Sequence, residues 1–108
     1  MPENERTVWL QSELMRHAAR DLAEAGRELG RFDSRPWLGS IDLPFAVVIT
    51  TRDEAVPVPK QRALAEACRA QVFEAPLSHM QIVTRASEYN PALLQALDGL
   101  RSEVARAA

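Results

Sequence analysis

The feature that most constrains the fold is a run of apolar residues from Phe45 to Ile49, in which no polar side chain alternates with the apolar ones. Such a run is typical of a strand that is covered on both faces in a parallel sheet. A segment of helical composition follows from about 58 to 70, and a second short apolar run comes at Val72 and Phe73. This order predicts a β-α-β unit whose two strands are parallel and adjacent.

A polar residue with useful chemistry follows each predicted strand. Asp53 comes just after the first strand, and His79 follows the second. Because the carboxyl ends of parallel strands meet at one edge of a sheet, we expect both side chains to lie there. A carboxylate can fix the tautomer of a neighbouring imidazole and stabilise its protonated form. On residue type alone, however, Asp53 is also an ordinary turn residue and His79 an ordinary surface residue.

The stretch TTRDEAVPVPKQRALAEA, followed by SHM, resembles the C-terminal third of an α/β-hydrolase. In that family a nucleophile, an acid and a histidine follow one another along the chain, the last two after successive late strands. The resemblance implies that Asp53 is the acid and His79 the general base. It favours Asp53 over Glu54, because the position after Thr-Arg matches the family's acid. It covers roughly residues 31–100 and implies an α/β fold class, as a partial α/β-hydrolase fold.

The chain departs from that family at the nucleophile. No Gly-x-Ser-x-Gly motif occurs, since glycines are found only at 26, 30, 39 and 99, and no His-Gly-Gly loop is present to bind an oxyanion. A hydrolase of this kind needs both parts. We therefore expect the chain alone to be inactive, with its nucleophile-bearing half either encoded upstream of Met1 or supplied by a copy of the chain or a partner.

The first segment, residues 1–30, predicts one long amphipathic helix. Its apolar residues recur every seven positions, at Val8, Met15, Leu22 and Leu29. This spacing is that of an ordinary packing helix or of a short coiled-coil seam. In the resembling family, a helix in this place belongs to the cap over the substrate site. Residues 31–108 are then expected to form the C-terminal β-α-β-α part of the hydrolase domain.

Two further segments complete the expected order of elements. Between Gly30 and Pro44 a loop is predicted, with Phe32, Trp37 and Ile41 as its aromatic and aliphatic anchors. The last segment opens with Asn90 and Pro91, a capping residue followed by a proline suited to the first helical position. This predicts a closing helix that begins at Asn90.

Composition limits the classes of partner and location. The chain has 13 basic and 15 acidic residues, a net charge of −2, which argues against a nucleic-acid binder. Two histidines and one cysteine show no metal-ligand spacing, so neither a metal nor a cofactor is expected, and Cys68 is expected to be a small apolar helix residue. With no signal peptide and no apolar run long enough to span a membrane, a cytoplasmic location without membrane association is expected.

Two functions from different classes remain open. The first is the C-terminal part of an α/β-hydrolase that cleaves an ester or a related acyl bond of a small molecule, with Asp53 and His79 completing a triad. The second is a non-catalytic interaction module that dimerises through its open strand edges or completes the sheet of a partner chain. A third alternative is a helical coiled-coil adaptor that uses the first helix.

Overall fold

The computed structural model describes residues 2–108 and is mostly helical, with a two-stranded parallel sheet. Its elements follow in this order: α1 Glu3–Met15, α2 Ala19–Arg31, α3 Arg35–Leu38, β1 Ala46–Thr50, α4 Val58–Ala67, β2 Gln71–Ala75, α5 Gln81–Thr84 and α6 Ala86–Ala107. The class is therefore mixed α/β, as the sequence predicts.

The predicted β-α-β unit is confirmed. Strands β1 and β2 pair in parallel, with Ala46 opposite Gln71 and Thr50 opposite Ala75, and α4 is the crossover between them. Pro59 lies in the first turn of α4, where its missing N–H costs no helical hydrogen bond. Because Thr50 and Ala75 are paired, the two strands end at the same level of the sheet.

Helix α6 covers one face of the sheet. The carboxamide of Gln71 donates to the carbonyl of Gly99 over 3.2 Å, and Ala75 and Leu77 form a buried cluster with Ala92. A Cβ at position 99 would lie 2.5 Å from Oε1 of Gln71 and 3.0 Å from Cζ of Phe73, so these side chains would have to shift to admit it. Glycine thus allows α6 to lie close against β2.

Helix α4 packs against β1 on the other face, and its Arg62 donates over 2.7 Å to Glu74 of β2, which is exposed. Coverage of β1 is complete only at its carboxyl end: Ile49 and Thr50 are buried, whereas Val47 and Val48 are half-buried. The prediction of a strand covered on both faces therefore holds for its last residues.

The prediction of one long N-terminal helix is wrong. Helix α1 ends at Met15, and Ala18 has extended backbone angles (φ −68°, ψ 140°) before α2 begins. No proline or glycine lies at this break, so neither of the usual helix-breaking residues explains it. Helix α1 packs against α5, whereas every residue of α2 is exposed, which indicates that tertiary packing sets the change of direction.

The seven-residue apolar stripe is therefore not a continuous seam. Val8, Met15, Leu22 and Leu29 are all exposed, and the half-buried positions of α1 are others, such as Leu10. The coiled-coil adaptor loses its structural basis among the described residues.

Two smaller predictions also need correction. In the segment before β1, Phe32 and Trp37 are exposed and pack edge to face on each other, with ring centroids 6.2 Å apart, whereas Ile41 is half-buried. The buried anchor is Leu38, at the end of α3, a short helix where a loop was predicted. Composition alone does not show which apolar residue of such a segment is buried and which aromatic residues stay exposed.

The closing helix begins at Ala86, four residues before the predicted start, so that Pro91 lies inside it. The carbonyl of Arg85 accepts hydrogen bonds from the N–H groups of Glu88 and Tyr89 and starts the helix there. Since Pro91 has no N–H, the helix continues through it with one hydrogen bond fewer.

The chain exposes more surface than a compact monomer. Its accessible surface is 8142 Å², whereas a compact protein of this mass exposes about 6,000 Å². Its radius of gyration is 16.3 Å, against about 13 Å for a compact chain of this length. In residues 2–108, no helix is both long and apolar enough to cross a membrane.

Candidate functional site

The loops that follow the two strands lie side by side. Beyond the paired ends of the strands, the N–H of Thr51 donates to the carbonyl of Ala75 over 3.0 Å, and the N–H of Arg52 donates to the carbonyl of Leu77 over 3.2 Å. These two bonds extend the ladder past the last residues of β1. They bring the loop that carries Asp53 next to the loop that carries His79.

Asp53 and His79 are in contact, as the sequence predicts. Oδ2 of Asp53 lies 2.9 Å from Nδ1 of His79. The Asp53 side chain is only 2% exposed, whereas that of His79 is 48% exposed. The carboxylate is therefore held inside the molecule while the imidazole reaches the surface. We call these two side chains the Asp-His pair.

The Asp53 carboxylate accepts three further hydrogen bonds. Its Oδ1 accepts from the N–H groups of Ala55 and Val56 over 2.9 and 2.8 Å, and its Oδ2 accepts from the hydroxyl of Thr50 over 2.8 Å. Burial by itself raises the pKa of Asp53, but the hydrogen bonds from Val56, Thr50, His79 and Ala55 outweigh it. The pKa falls from its ordinary 3.8 to about 2, so the group is ionised near neutral pH.

The ionised carboxylate determines the tautomer of neutral His79. A carboxylate only accepts hydrogen bonds, so Nδ1 carries the proton and donates it to Asp53. The lone pair then lies on Nε2, which makes no hydrogen bond to any residue from 2 to 108. A half-exposed imidazole whose Nε2 has a free lone pair is the arrangement that a general base requires.

Gln61 is a buried residue of this region whose contacts sequence reasoning missed. Its Oε1 accepts from the N–H of Thr50 over 2.9 Å, and its Nε2 donates to the carbonyls of Thr50 and Val56 over 3.2 and 2.8 Å. The available signal was its position, because Gln61 shares the buried side of α4 with Ala65 and Cys68 at helical spacing. A glutamine on such a face must find hydrogen-bond partners there.

The loop that bears His79 is held by Gln81. Oε1 of Gln81 accepts from the N–H of Ser78 over 2.9 Å, and the N–H of Gln81 donates back to the carbonyl of Ser78 over 3.2 Å. This reciprocal pair resembles the capping box of a longer helix. It holds the backbone on both sides of His79.

The other residues considered in the sequence lie away from the Asp-His pair or lack its contacts. Glu54 is exposed, and His17 is exposed between α1 and α2. Cys68 is buried, as expected for a small apolar residue, but it caps the end of α4 instead of lying within the helix, with Sγ 3.2 Å from the carbonyl of Leu64. Among residues 2–108, no three His, Cys, Asp or Glu side chains form a group that could hold a metal ion.

The chain was compared with protein-family models, with curated proteins and with solved structures, and none of them matches it. The resemblance to α/β-hydrolases therefore rests on the residues around Asp53 and His79 and on their order along the chain. It stays a prediction.

Proposed function

We propose that Asp53 and His79 are the acid and the base of a Ser-His-Asp triad in a hydrolase of the α/β-hydrolase type, acting on an ester or related acyl bond. One observation carries the proposal: the 2.9 Å contact between Oδ2 of Asp53 and Nδ1 of His79, which leaves Nε2 free on a half-exposed imidazole. The nucleophilic serine and the oxyanion-binding groups are proposed to come from another stretch of polypeptide.

The chemistry of the pair follows from its geometry. Nε2 of His79 would take the proton of a serine hydroxyl as Oγ attacks the carbonyl carbon of the substrate, and Asp53 would stabilise the imidazolium without accepting its proton. The imidazolium would then give that proton to the leaving alkoxide as the carbon–oxygen bond breaks. Water would release the acyl group by the same two proton transfers, restoring the serine and the neutral imidazole.

The open sheet supports the need for further polypeptide. Only two strands, each of five residues, form the sheet in residues 2–108, so each strand has one unpaired edge. Isolated strand pairs are marginal in water. The accessible surface of 8142 Å² exceeds that of a compact monomer by roughly 2,000 Å², an area comparable to that of a stable protein interface.

In the experiment, the tagged chain is purified from the cells that produce it. Any polypeptide that continues it, and any partner protein bound to it, is purified with it. A fluorophosphonate probe, which reacts only with activated serines, is then added. We expect one labelled serine in the purified material, and we expect labelling to disappear in His79→Ala and Asp53→Ala. The control His17→Ala, at an exposed histidine outside the pair, should label as the wild type does. Absence of any labelled serine contradicts the proposal.

The same open edges favour a second candidate function, a non-catalytic module that dimerises or completes a partner's sheet. This candidate function predicts that the chain is purified in a stable assembly in which no serine is labelled. Light scattering of the purified 108-residue chain measures self-association directly. A monomer at micromolar concentration would contradict the dimeric form of this candidate.

A further inference from the structure

We propose that Thr50 and Gln61 are positioning residues of the Asp-His pair: Gln61 closes the loop from Thr50 to Val56, and the Thr50 hydroxyl holds Oδ2 of Asp53 in line with His79. This inference rests on the proposed function, because it assigns these two residues to the working of that site.

The loop that carries Asp53 needs such support. Glu54, Ala55 and Val56 are all exposed, and a loop of exposed residues is ordinarily mobile. A hydrogen bond such as the one to His79 requires the acid to be held within about half an ångström of its productive position. Besides the N–H groups of Ala55 and Val56 within the loop, the carboxylate therefore needs support from groups outside its exposed part.

Gln61 supplies the first of these groups. It lies in α4, and its carboxamide binds the N–H and the carbonyl of Thr50, where the loop starts, and the carbonyl of Val56, where the loop ends. The orientation of the amide is determined, because a flip would place its NH₂ group against the N–H of Thr50. One buried side chain thus joins both ends of the loop to the crossover helix.

Thr50 supplies the second group. Its residue is buried, and its hydroxyl donates over 2.8 Å to Oδ2 of Asp53, the same oxygen that accepts from His79. The other oxygen of the carboxylate is already held by the N–H groups of Ala55 and Val56. The Thr50 hydroxyl therefore fixes the rotation of the carboxylate about its last torsion and directs Oδ2 at the imidazole.

A merely structural role for these residues predicts a different outcome on mutation. If Gln61 and Thr50 only satisfy backbone groups, their loss lowers stability but leaves the electrostatics of the remaining folded protein unchanged. If they position the acid, the state of Asp53 and the tautomer of His79 change even where the protein is fully folded. These two quantities can be measured without substrate.

The experiment records NMR spectra of the 108-residue chain well below its unfolding temperature. The variants are Thr50→Val, which keeps the shape and removes the hydroxyl, Thr50→Ser, which keeps the hydroxyl, and Gln61→Met. Arg62→Met is the control, since Arg62 is the next residue of the same helix and binds Glu74 on the surface. The carboxyl carbon of Asp53 reports its pKa, and the ring nitrogens of His79 report its tautomer.

Loss of one charge-assisted hydrogen bond should raise the pKa of Asp53 by about one unit in Thr50→Val. We expect the population of His79 protonated on Nδ1 to fall in Thr50→Val and Gln61→Met, and to match the wild type in Thr50→Ser and Arg62→Met. A wild-type pKa and tautomer in both Thr50→Val and Gln61→Met would overturn the inference. Since no serine or substrate enters these measurements, this failure is distinct from the absence of a fluorophosphonate-labelled serine.

Discussion

The carboxyl end of the sheet and the N-terminal helices α1 and α2 differ in how far their side chains find partners within the chain. At the sheet end, Asp53 is almost fully enclosed and accepts four hydrogen bonds, and Ile49 and Leu77 are completely buried. Neither α1 nor α2 has a buried residue. Stability and candidate chemistry are therefore concentrated in the same part of the molecule, and the N-terminal helices contribute little to either.

The largest expected effect tests that contrast directly. Leu77→Ala leaves a cavity in the buried cluster with Ala75 and Ala92, so it should lower the free energy of unfolding by about 3 kcal/mol. Leu29→Ala on exposed α2 should change it by less than about 0.5 kcal/mol. Urea denaturation followed by circular dichroism measures both variants. Equal losses of unfolding free energy in the two variants would show that α2 is packed as tightly as the sheet.

A smaller effect separates two glycines in the two regions. Gly99 lies against Gln71 and Phe73, so Gly99→Ala should destabilise the protein by about 1 to 2 kcal/mol through overpacking. Gly26 is in α2 with nothing near its missing Cβ, so Gly26→Ala should stabilise that helix by about 0.5 kcal/mol. Thermal unfolding measures the change in stability in each variant, and the two changes are expected to have opposite signs. The same sign for both variants would contradict the close approach of α6 to β2.

The smallest expected effect is on the pH dependence of stability. The folded pKa of Asp53, about 2, lies below its ordinary value of 3.8, so the folded state binds this proton less tightly than the unfolded state. The resulting stability is present above about pH 4 and is lost as the pH falls toward 2, by on the order of 1 kcal/mol.

Asp53→Asn provides the comparison for that pH range. The stability difference between the wild type and Asp53→Asn should shrink as the pH falls from 4 to 2, because Asp53 then takes up a proton and its charge approaches that of the neutral amide. Denaturation at several pH values measures it. A difference that stays constant over this range would mean that the carboxylate is not stabilised by its four donors.

The sequence predicts the part of the fold whose pattern is local. The unbroken apolar run at Phe45 to Ile49, the helical composition after Pro57 and the short run at Val72 define the β-α-β unit, and the two ends of its strands place Asp53 and His79 together. Their contact is a consequence of topology, so it could be predicted before any distance was known.

What the sequence does not predict depends on contacts between distant segments. The break after Met15 has no local signal and coincides with the packing of α1 on α5. Helix α6 starts early because the carbonyl of Arg85 accepts two helical hydrogen bonds. The contacts of Gln61 depend on which side of α4 meets β1, and periodicity shows only that this side is buried.

Each hydrogen bond described for the Asp-His pair and its loops joins residues between Thr50 and Gln81. A genetic rearrangement that moves this stretch therefore transfers Asp53, His79 and the groups that hold them together. Recombination within this stretch, by contrast, separates residues that are hydrogen-bonded to each other. The segment from Thr50 to Gln81 thus contains both partners of the 2.9 Å contact and every side chain that holds them.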